Sequence, residues 1–249
     1  MIIEQQITGK ISQQKCEDGI VTTENFIAVI DGSTSKTSTR FCQNMSNGQY
    51  CMQNISEVIE HLKKDCDVQT FCSIATDRIM KAYQDKGIIP EMKQYPHQRT
   101  TASAICYSKT RKEIWMVGDC QCLINGQLYD NPKPTETENA SKRSDFIRKS
   151  IAEGVTITEL RKHDTGRDYI YDDLITATQR QNIDYAVIDG FSVPMEKIKI
   201  LHVNENDEIV LASDGYPILK SSLDESEKAL TDILQQDPLC YLHFKATKG

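Results

Sequence analysis

Three apolar segments of the sequence each run into a glycine next to an aspartate. They are FIAVIDG at residues 26–32, EIWMVGD at residues 113–119 and EIVLASDG at residues 208–215. Short β-branched runs bounded by polar turn formers are typical of buried strands. The pattern therefore predicts three strands that deliver Asp31, Asp119 and Asp214 to sheet ends, where they would form one acidic cluster.

Carboxylates clustered at strand ends are suited to holding divalent cations. Mg²⁺ and Mn²⁺ prefer carboxylate and backbone carbonyl oxygens. A glycine such as Gly32 leaves its carbonyl open to a cation, because no side chain stands in the way. Such a site could hold two cations, activate a water and clamp a phosphoryl group. A single Asp-Gly pair usually marks only a turn, but three pairs in the same position after a strand favour the metal site.

The composition is that of an ordinary globular protein and argues against several functional classes. The 249 residues, 39% of them hydrophobic, are sufficient for one large domain with its own core. The formal net charge of −7 disfavours nucleic acid as a partner, since phosphate backbones are bound by basic surfaces. No apolar run approaches the ~18 residues of a transmembrane helix, and the N-terminal residues lack the pattern of a signal peptide. We expect no membrane partner.

The cysteines and histidines give no sign of a disulfide framework or a zinc site. The nine cysteines are an odd number with no CxxC pair, which predicts reduced, buried thiols in a cytoplasmic protein. The five histidines are scattered, with no pair four residues apart. Cys120, beside Asp119, is the one thiol expected to make the acidic site redox-sensitive.

Hydrophobic periodicity predicts a single α+β domain with two sheets faced by helices. Strands are expected at residues 2–11, 25–30, 99–107, 113–117, 122–124, 127–129, 185–188, 197–203 and 208–212. Helices are expected twice within residues 52–86, at 139–154, at 172–181 and after Ser222. Asn125 and Gly126 predict a type I′ hairpin turn, Asp67 a helix cap, and residues 204–207 a second hairpin turn.

The order of five segments resembles the metal-dependent type 2C (PPM) serine/threonine protein phosphatases. The segments are Glu17-Asp18, FIAVIDGS (26–33), RTTASAIC (99–106), EIWMVGDCQ (113–121) and EIVLASDGY (208–216). In that family a Glu-Asp pair, a strand ending in Asp-Gly, a Ser/Thr-Thr-Ala strand, a Val-Gly-Asp strand and a Leu-Ala-Ser-Asp-Gly strand follow one another. The resemblance covers about residues 11–235.

The resemblance implies an α-β-β-α four-layer sandwich, with two mainly antiparallel sheets flanked by helical pairs, as one catalytic domain over residues 1–249. It also implies two Mn²⁺ or Mg²⁺ ions, and a weaker third one, in a cleft at the strand ends. The positions that it assigns to metal are Glu17, Asp18, Asp31, Gly32, Asp119 and Asp214. Asp31 would bridge the two ions and is, with Asp214, implied to be catalytic. Asp119 would share the third ion with Asp214.

The activity implied by the resemblance is hydrolysis of phosphoserine and phosphothreonine monoesters by attack of metal-bound water. The partner would be a phosphorylated protein or a small phosphomonoester. The alternative is a weak or inactive phosphatase-like module that binds a phosphorylated partner. Two other phosphoryl-transfer families fit less well. Haloacid-dehalogenase-type phosphatases need an aspartate where Val29 stands, and actin-like ATPases need an intervening residue between Asp31 and Gly32.

Departures from the family pattern support the inactive alternative. Ser33 stands where the family has a histidine, and Gln13 where it has a phosphate-binding arginine. Lys15 or Lys36 is expected to bind phosphate instead. The family's closing strand and Asp-Asn motif are not found before Gly249, so one metal carboxylate is expected to be missing.

Two further segments receive an interpretation from the resemblance. Asp189-Gly190 copies the Asp-Gly pattern at a place where the family has no ligand, and it is expected to be a turn. Residues 161–173 fall where the family has a variable flap, and they are expected to influence substrate choice.

Overall fold

The structure is a computed structural model that describes residues 2–9, 12–37 and 39–245. Within them, the strands are β1 (Asp18–Thr22), β2 (Phe26–Gly32), β3 (Ala102–Ser108), β4 (Glu113–Val117), β5 (Gln121–Ile124), β6 (Gln127–Tyr129), β7 (Lys199–His202) and β8 (Ile209–Ala212). The helices are α1 (Asn47–Glu60), α2 (Val68–Lys86), α3 (Ile89–Gln94), α4 (Glu136–Ala152), α5 (Ile157–Lys162), α6 (Thr165–Tyr169), α7 (Tyr171–Gln179) and α8 (Leu223–Gln236).

The strands form two antiparallel sheets. The larger sheet has the order β1-β2-β3-β4-β7 and the smaller one the order β6-β5-β8, and every strand pair is antiparallel. The predicted α+β class with two mainly antiparallel sheets is confirmed. The predicted hairpin between β5 and β6 is also confirmed, because Asn125 and Gly126 both have the positive φ, 53° and 79°, of a type I′ turn.

Helices α1 and α2 cover one face of the larger sheet. Side chains on alternate positions of β2, such as Phe26, are buried against them. Trp115 of β4 lies between Phe26 and Phe71 of α2, with ring centroids 5.9 and 6.0 Å away. Aromatic contacts at such distances add to the free energy gained by burial. This core holds β2 firmly, and with it the strand end that carries Asp31.

The other face of the larger sheet packs on the smaller sheet. Ile105, Ile114 and Met116 point from β3 and β4 into a second core. Cys120, just before β5, and Cys122, within β5, enter the same core. All nine cysteines are free thiols, and all except Cys42 are buried, so the expected reduced, buried thiols are confirmed. No helix in the described residues has the length and apolar character to cross a bilayer.

Helix ends follow the local sequence. Asp67 caps α2, as predicted, by accepting a hydrogen bond of 2.8 Å from the backbone N–H of Thr70. Ser46 and Gln49 form a reciprocal capping box at the start of α1. Gly87 ends α2 in the left-handed region at φ 68°. The α1 cap fixes a helix N terminus close to the acidic strand ends.

Two strand predictions and one turn prediction are wrong. Residues 2–9 form no strand, and residues 10 and 11 of that prediction lie outside the described residues. Residues 185–188 make only isolated bridges, the one at Ile188 pairing with Ala102. Residues 204–207 are not a hairpin turn, because β7 pairs with β4 in the larger sheet and β8 pairs with β5 in the smaller one. That turn carries the chain from one sheet to the other.

Candidate active site

Strand register brings Asp18 and Asp31 side by side. In the β1–β2 pair, Asp18 lies directly opposite Asp31, and in the β2–β3 pair Asp31 lies opposite Ser103. Side chains of directly opposed residues in antiparallel strands lie on the same face, with Cβ atoms about 5 Å apart. Both carboxylates are half-buried. Two acids thus share one face at the end of the larger sheet.

Asp119 joins this end of the sheet through Ser103. The Ser103 hydroxyl donates a 2.6 Å hydrogen bond to Asp119 Oδ1. The turn that carries Asp119 depends on Gly118, which has φ 101°. A Cβ at Gly118 would lie 2.2 Å from Ser103 Oγ. Glycine is therefore required there both by the backbone conformation and by the close approach of Ser103.

Asp214 reaches the same place from the smaller sheet. Gln121, at the start of β5, lies opposite Ala212, at the end of β8. The Gln121 amide nitrogen donates to the backbone carbonyls of Ser213 (3.1 Å) and Tyr216 (2.7 Å). These bonds pin the turn that contains Asp214 beside the turn that contains Asp119.

The buried thiol of Cys120 lies within electrostatic range of four carboxylates. Burial raises the pKa of the Cys120 thiol well above its ordinary value, and the neighbouring charges raise it further. Those charges belong to Asp31, Asp119, Asp214 and Asp18. These four acids thus lie in one neighbourhood at the strand ends. The expected redox sensitivity of Cys120 is disfavoured, because its side chain is fully buried and thiolate is the reactive form.

The carboxylates of this acidic cluster are suitable ligands for hard cations, but they do not lie close enough together to form a complete metal site. All its side-chain donors are carboxylate oxygens, which Mg²⁺ and Mn²⁺ prefer. Within residues 2–9, 12–37 and 39–245, no three His, Cys, Asp or Glu side chains converge closely enough to hold a metal ion. Glu17 and Asp119, both assigned to metal by the resemblance, have their carboxylates engaged by protein groups.

Glu17 contacts the N terminus of α1. Its carboxylate accepts hydrogen bonds from the hydroxyls of Ser46, the α1 cap, and Thr34. A Cβ at Gly48 would lie 2.6 Å from Glu17 Oε1, so the absence of a side chain there lets the carboxylate approach the helix. Negative charge is stabilised at a helix N terminus. Of the acidic pair at residues 17 and 18, it is Asp18 that faces Asp31.

Asp119 is paired with Lys133, a residue that the sequence analysis did not single out. The Lys133 ammonium group contacts Asp119 Oδ2, and the side chain of Asp119 is only 5% exposed. Burial is the largest single influence and acts to lower the pKa of Lys133, but the combined effects of Asp119, Tyr185 and Asp214 outweigh burial and raise it overall. The one feature of the sequence that could have drawn attention to Lys133 is its position between Pro132 and Pro134, which restricts the backbone there.

Gly32 is fixed by crowding as well as by its position after Asp31. Its backbone N–H donates a 3.0 Å hydrogen bond to the carbonyl of Glu17. A Cβ on Gly32 would lie 2.3 Å from the carbonyl oxygen of Gly48 and 2.7 Å from that of Glu17. Only glycine fits between β1 and α1 at this point. The proposed use of its carbonyl by a metal ion stays a prediction.

A cavity of about 400 Å³ lies beside the loop that follows Asp31. It is lined by Thr34, Ser35, Lys36, Thr37, Arg167, Tyr171 and Leu174. Lys36 and Arg167 place two positive charges on its wall. Lys15 lies exposed in the short 3₁₀ helix Gln13–Lys15, outside the set of lining residues. Of the two lysines expected to bind phosphate, Lys36 is the one on this wall.

The far wall of the cavity comes from the segment expected to be a flap. Gly166 of α6 lies against α4, where an added Cβ would be 2.8 Å from Ile147 and 3.1 Å from Arg143. The Tyr171 hydroxyl then donates a 3.0 Å hydrogen bond to the backbone carbonyl of Lys36. This bond ties the flap segment to the loop after β2. The sequence analysis did not name Arg167 individually; it included this residue only in the range 161–173, which was expected to influence substrate choice.

Asp189 and Gly190 form the expected turn, which is also an ion-pair site. Gly190 has φ 87°, and Asp189 Oδ1 accepts a 2.9 Å hydrogen bond from the backbone N–H of Phe191. The other oxygen, Oδ2, contacts Arg99 Nη1 at 2.8 Å, and the two side chains are 0% and 7% exposed. Arg99 directly precedes the segment that leads into β3.

The backbone requirement at Gly118 gives a stability prediction. Gly118 and Gly154 have nearly equal φ angles, 101° and 100°, but a Cβ at Gly154 would meet nothing within 4 Å. We expect Gly154→Ala to lower the free energy of unfolding by about 1–3 kcal/mol through backbone strain alone. Gly118→Ala should lose about 1–3 kcal/mol more, because its Cβ overlaps Ser103. Urea denaturation measures both, and equal losses would contradict the close approach of Ser103.

Comparison with known proteins finds similarity only among solved structures. No protein family model matches the sequence, and no curated protein matches it. The S. agalactiae serine/threonine phosphatase is 16% identical, with a TM-score of 0.45 over 92% of this chain and 90% of that one. The Mycobacterium tuberculosis serine/threonine phosphatase PstP/Ppp is 16% identical, with a TM-score of 0.42 over 88% and 86%.

A third match is PppA, described as a key regulatory component of T6SS in Pseudomonas aeruginosa. It is 14% identical, with a TM-score of 0.44 over 92% of this chain and 80% of that one. Among these neighbours, the catalytic domain of PstP was solved with two manganese ions and RsbX with magnesium. The structural neighbours thus include serine/threonine phosphatases, the class that the sequence motifs resemble.

Proposed function

We propose that this protein is a metal-dependent, type 2C-like phosphatase that uses Mn²⁺ or Mg²⁺ to hydrolyse phosphoserine and phosphothreonine monoesters. The observation that supports this most directly is that four strand-end carboxylates lie in the neighbourhood of the buried Cys120 thiol. Strand register supplies two of them from the larger sheet, and the Gln121 clamp holds a third at the end of the smaller sheet. Rigid strand ends are suitable supports for a metal centre.

In this proposal Asp31, Asp18 and Asp214 hold the cations, with the carbonyl of Gly32 beside them. When bound, two such cations would supply an activated water and neutralise the charge that develops on the phosphoryl oxygens. The chain's own contribution is to fix the carboxylates, through the β1–β2 register for Asp18 and Asp31. The role of Asp31 as the shared ligand rests on its central position, with β1 on one side and β3 on the other.

The substrate in this proposal lies along the cavity beside the Asp31 loop. Its volume of about 400 Å³ falls within the range of small-molecule and peptide sites. Thr34, on its wall, also bonds to Glu17, so the cavity adjoins the acidic cluster. Lys36 and Arg167 would pair with the negative charges of a phosphorylated peptide. A protein substrate and a cytoplasmic location are part of the proposal, the latter supported by the free thiols.

The proposed substrate cavity gives a prediction for Lys36 and Arg167. We expect Lys36→Gln and Arg167→Gln each to raise KM for a phosphothreonine peptide about tenfold, the loss of one charge-assisted contact. Their effect on p-nitrophenyl phosphate, which lacks the flanking peptide, should be much smaller. Arg148→Gln, an exposed arginine on α4, is the control and should change neither substrate. Equal effects of Arg167→Gln on both substrates would contradict a role in peptide binding.

Phosphate release from three peptides tests the reaction itself. The full chain with Mn²⁺ should release inorganic phosphate from phosphoserine and phosphothreonine peptides and much less from a phosphotyrosine peptide of the same sequence. Release restricted to phosphotyrosine would contradict the proposed substrate class.

The second candidate function is a phosphatase-like module that binds a phosphorylated partner without hydrolysing it. It is favoured by the engagement of Asp119 with Lys133 and of Glu17 with Ser46 and Thr34, which leaves fewer carboxylates for metal. Binding of the phosphothreonine peptide, measured by fluorescence polarisation, with no phosphate release at any metal concentration, would select this candidate.

A further inference from the structure

We infer that the ammonium group of Lys133 takes the place of a divalent cation at Asp119, so that this chain needs no third metal ion. This inference rests on the proposed metal centre and refines it. It departs from the role that the family resemblance gives to Asp119. It concerns the number of ions that the centre binds, which is measurable independently of catalysis.

The contacts of Asp119 leave its carboxylate well satisfied by the protein. One oxygen accepts a hydrogen bond of 2.6 Å from the Ser103 hydroxyl. The other accepts from the Lys133 ammonium group. The Asp119 side chain is 5% exposed and that of Lys133 is 33% exposed, so the carboxylate end of the pair lies away from bulk water. Ion pairs in such surroundings attract more strongly than exposed ones.

The backbone holds Lys133 in position rather than leaving it on a mobile loop. Proline precedes and follows it in the sequence. A residue before proline is restricted to extended conformations, and proline itself has a fixed φ. The carbonyl of Lys133 accepts a 3.1 Å hydrogen bond from the backbone N–H of Glu136, at the start of α4.

A side-chain clamp joins this segment to the turn before Asp119. The Asn131 amide nitrogen donates to the carbonyl of Gly118 and to that of Lys197, both at 3.2 Å. Gly118 is the residue directly before Asp119, so the ammonium and the carboxylate are supported by connected backbone. The aromatic ring of Tyr185 lies 5.6 Å from the ammonium nitrogen on another side, and a ring face attracts a cation.

A fixed ammonium at this place would oppose a divalent ion in two ways. It neutralises the charge of Asp119, and it repels a second cation brought within a few ångströms. A metal ion could bind Asp119 only by displacing Lys133 from a prepared site. The predicted consequence is a centre that binds one Mn²⁺ fewer than it would with a neutral side chain at position 133.

Titration of the metal-free full chain with Mn²⁺ tests this, with free Mn²⁺ followed by electron paramagnetic resonance. Lys133→Met keeps the length of the side chain and removes its charge. It should bind one Mn²⁺ per chain more than wild type, with that ion bound about tenfold or more tightly than any third ion in wild type. Lys133→Met combined with Asp119→Asn should return to the wild-type number. Lys142→Met, a partly exposed lysine on α4, is the control.

A second variant covers the case in which Lys133→Met does not fold, as judged by circular dichroism. Asp119→Asn alone should leave the number of bound Mn²⁺ ions unchanged, because Asp119 holds an ammonium and not a metal in wild type. A loss of one ion in Asp119→Asn would overturn the inference. So would an unchanged number in folded Lys133→Met, while the proposed metal centre would still stand. A wild-type chain that binds no Mn²⁺ would contradict both.

Discussion

Asp31→Asn should reduce Mn²⁺-dependent hydrolysis of p-nitrophenyl phosphate by at least about 100-fold, the scale seen when one transition-state-stabilising group is removed. Asparagine keeps the shape of the side chain but removes the charge that holds cations. Among the acidic residues of the proposed centre, Asp31 is expected to show the largest effect, because it lies between Asp18 and Ser103 in the strand register. The measurement is the steady-state rate for each variant at saturating Mn²⁺.

Asp85→Asn is the matched control for this result. Asp85 is exposed on α2 and forms an ion pair with Lys81 at 3.0 Å. Its loss should leave the rate unchanged within a factor of about two, as for most exposed sites. A folded Asp31→Asn enzyme that keeps most of its wild-type rate would remove Asp31 from the centre.

Arg99→Leu should lower the free energy of unfolding by about 3–5 kcal/mol, because it leaves the carboxylate of Asp189 buried without its charged partner. Asp189 is completely buried and Arg99 nearly so. Arg99 also donates a 2.8 Å hydrogen bond to the carbonyl of Met92 and lies 3.7 Å from the centre of the Phe191 ring. For a domain of this size the expected loss lowers Tm by roughly 10 °C, which scanning calorimetry would detect.

The cost of Arg99→Leu should depend on pH. Burial raises the pKa of Asp189 above its ordinary value of 3.8, although Arg99 acts to lower it. The folded chain therefore holds this proton more tightly than the unfolded chain, so the contribution of Asp189 to stability falls as the pH rises above that value. Removing Arg99 strengthens this trend. The difference in stability between variant and wild type should thus be smaller at pH 5 than at pH 8.

Arg78→Leu provides the control for the ion pair. Arg78 pairs with Glu57 on the surface, where the two side chains are 46% and 57% exposed. Exposed pairs contribute at most about 1 kcal/mol, and the loss should show little pH dependence over this range. A cost of Arg99→Leu no larger than that of Arg78→Leu would contradict the buried ion pair.

The strand ends could be predicted from sequence because their signals are local. The apolar runs before Asp31, Asp119 and Asp214 and the turn residues after them lie within a few positions of one another. The same holds for the Asn125-Gly126 turn and the Asp67 cap. Local patterns of this kind decide where an element ends. The convergence of the three aspartates followed once their strands were assigned to sheets.

Contacts between distant segments could not be predicted in the same way. Lys133 meets Asp119, and Arg99 meets Asp189 from 90 positions away, because sheet topology brings them together. Nothing in the neighbouring sequence specifies either partner. The hairpin expected at residues 204–207 failed for a related reason: the apolar pattern identifies two strands but does not say that they pair with different sheets.

The most direct test of the proposed function is the reversible metal dependence of the wild-type chain. Hydrolysis of p-nitrophenyl phosphate would be measured with Mn²⁺, after removal of metal with EDTA, and again after EDTA is removed and Mn²⁺ restored. The proposal predicts turnover with Mn²⁺, its loss with EDTA and its full recovery. Turnover that persists unchanged in EDTA, or none in any of the three conditions, would contradict a metal-dependent phosphatase.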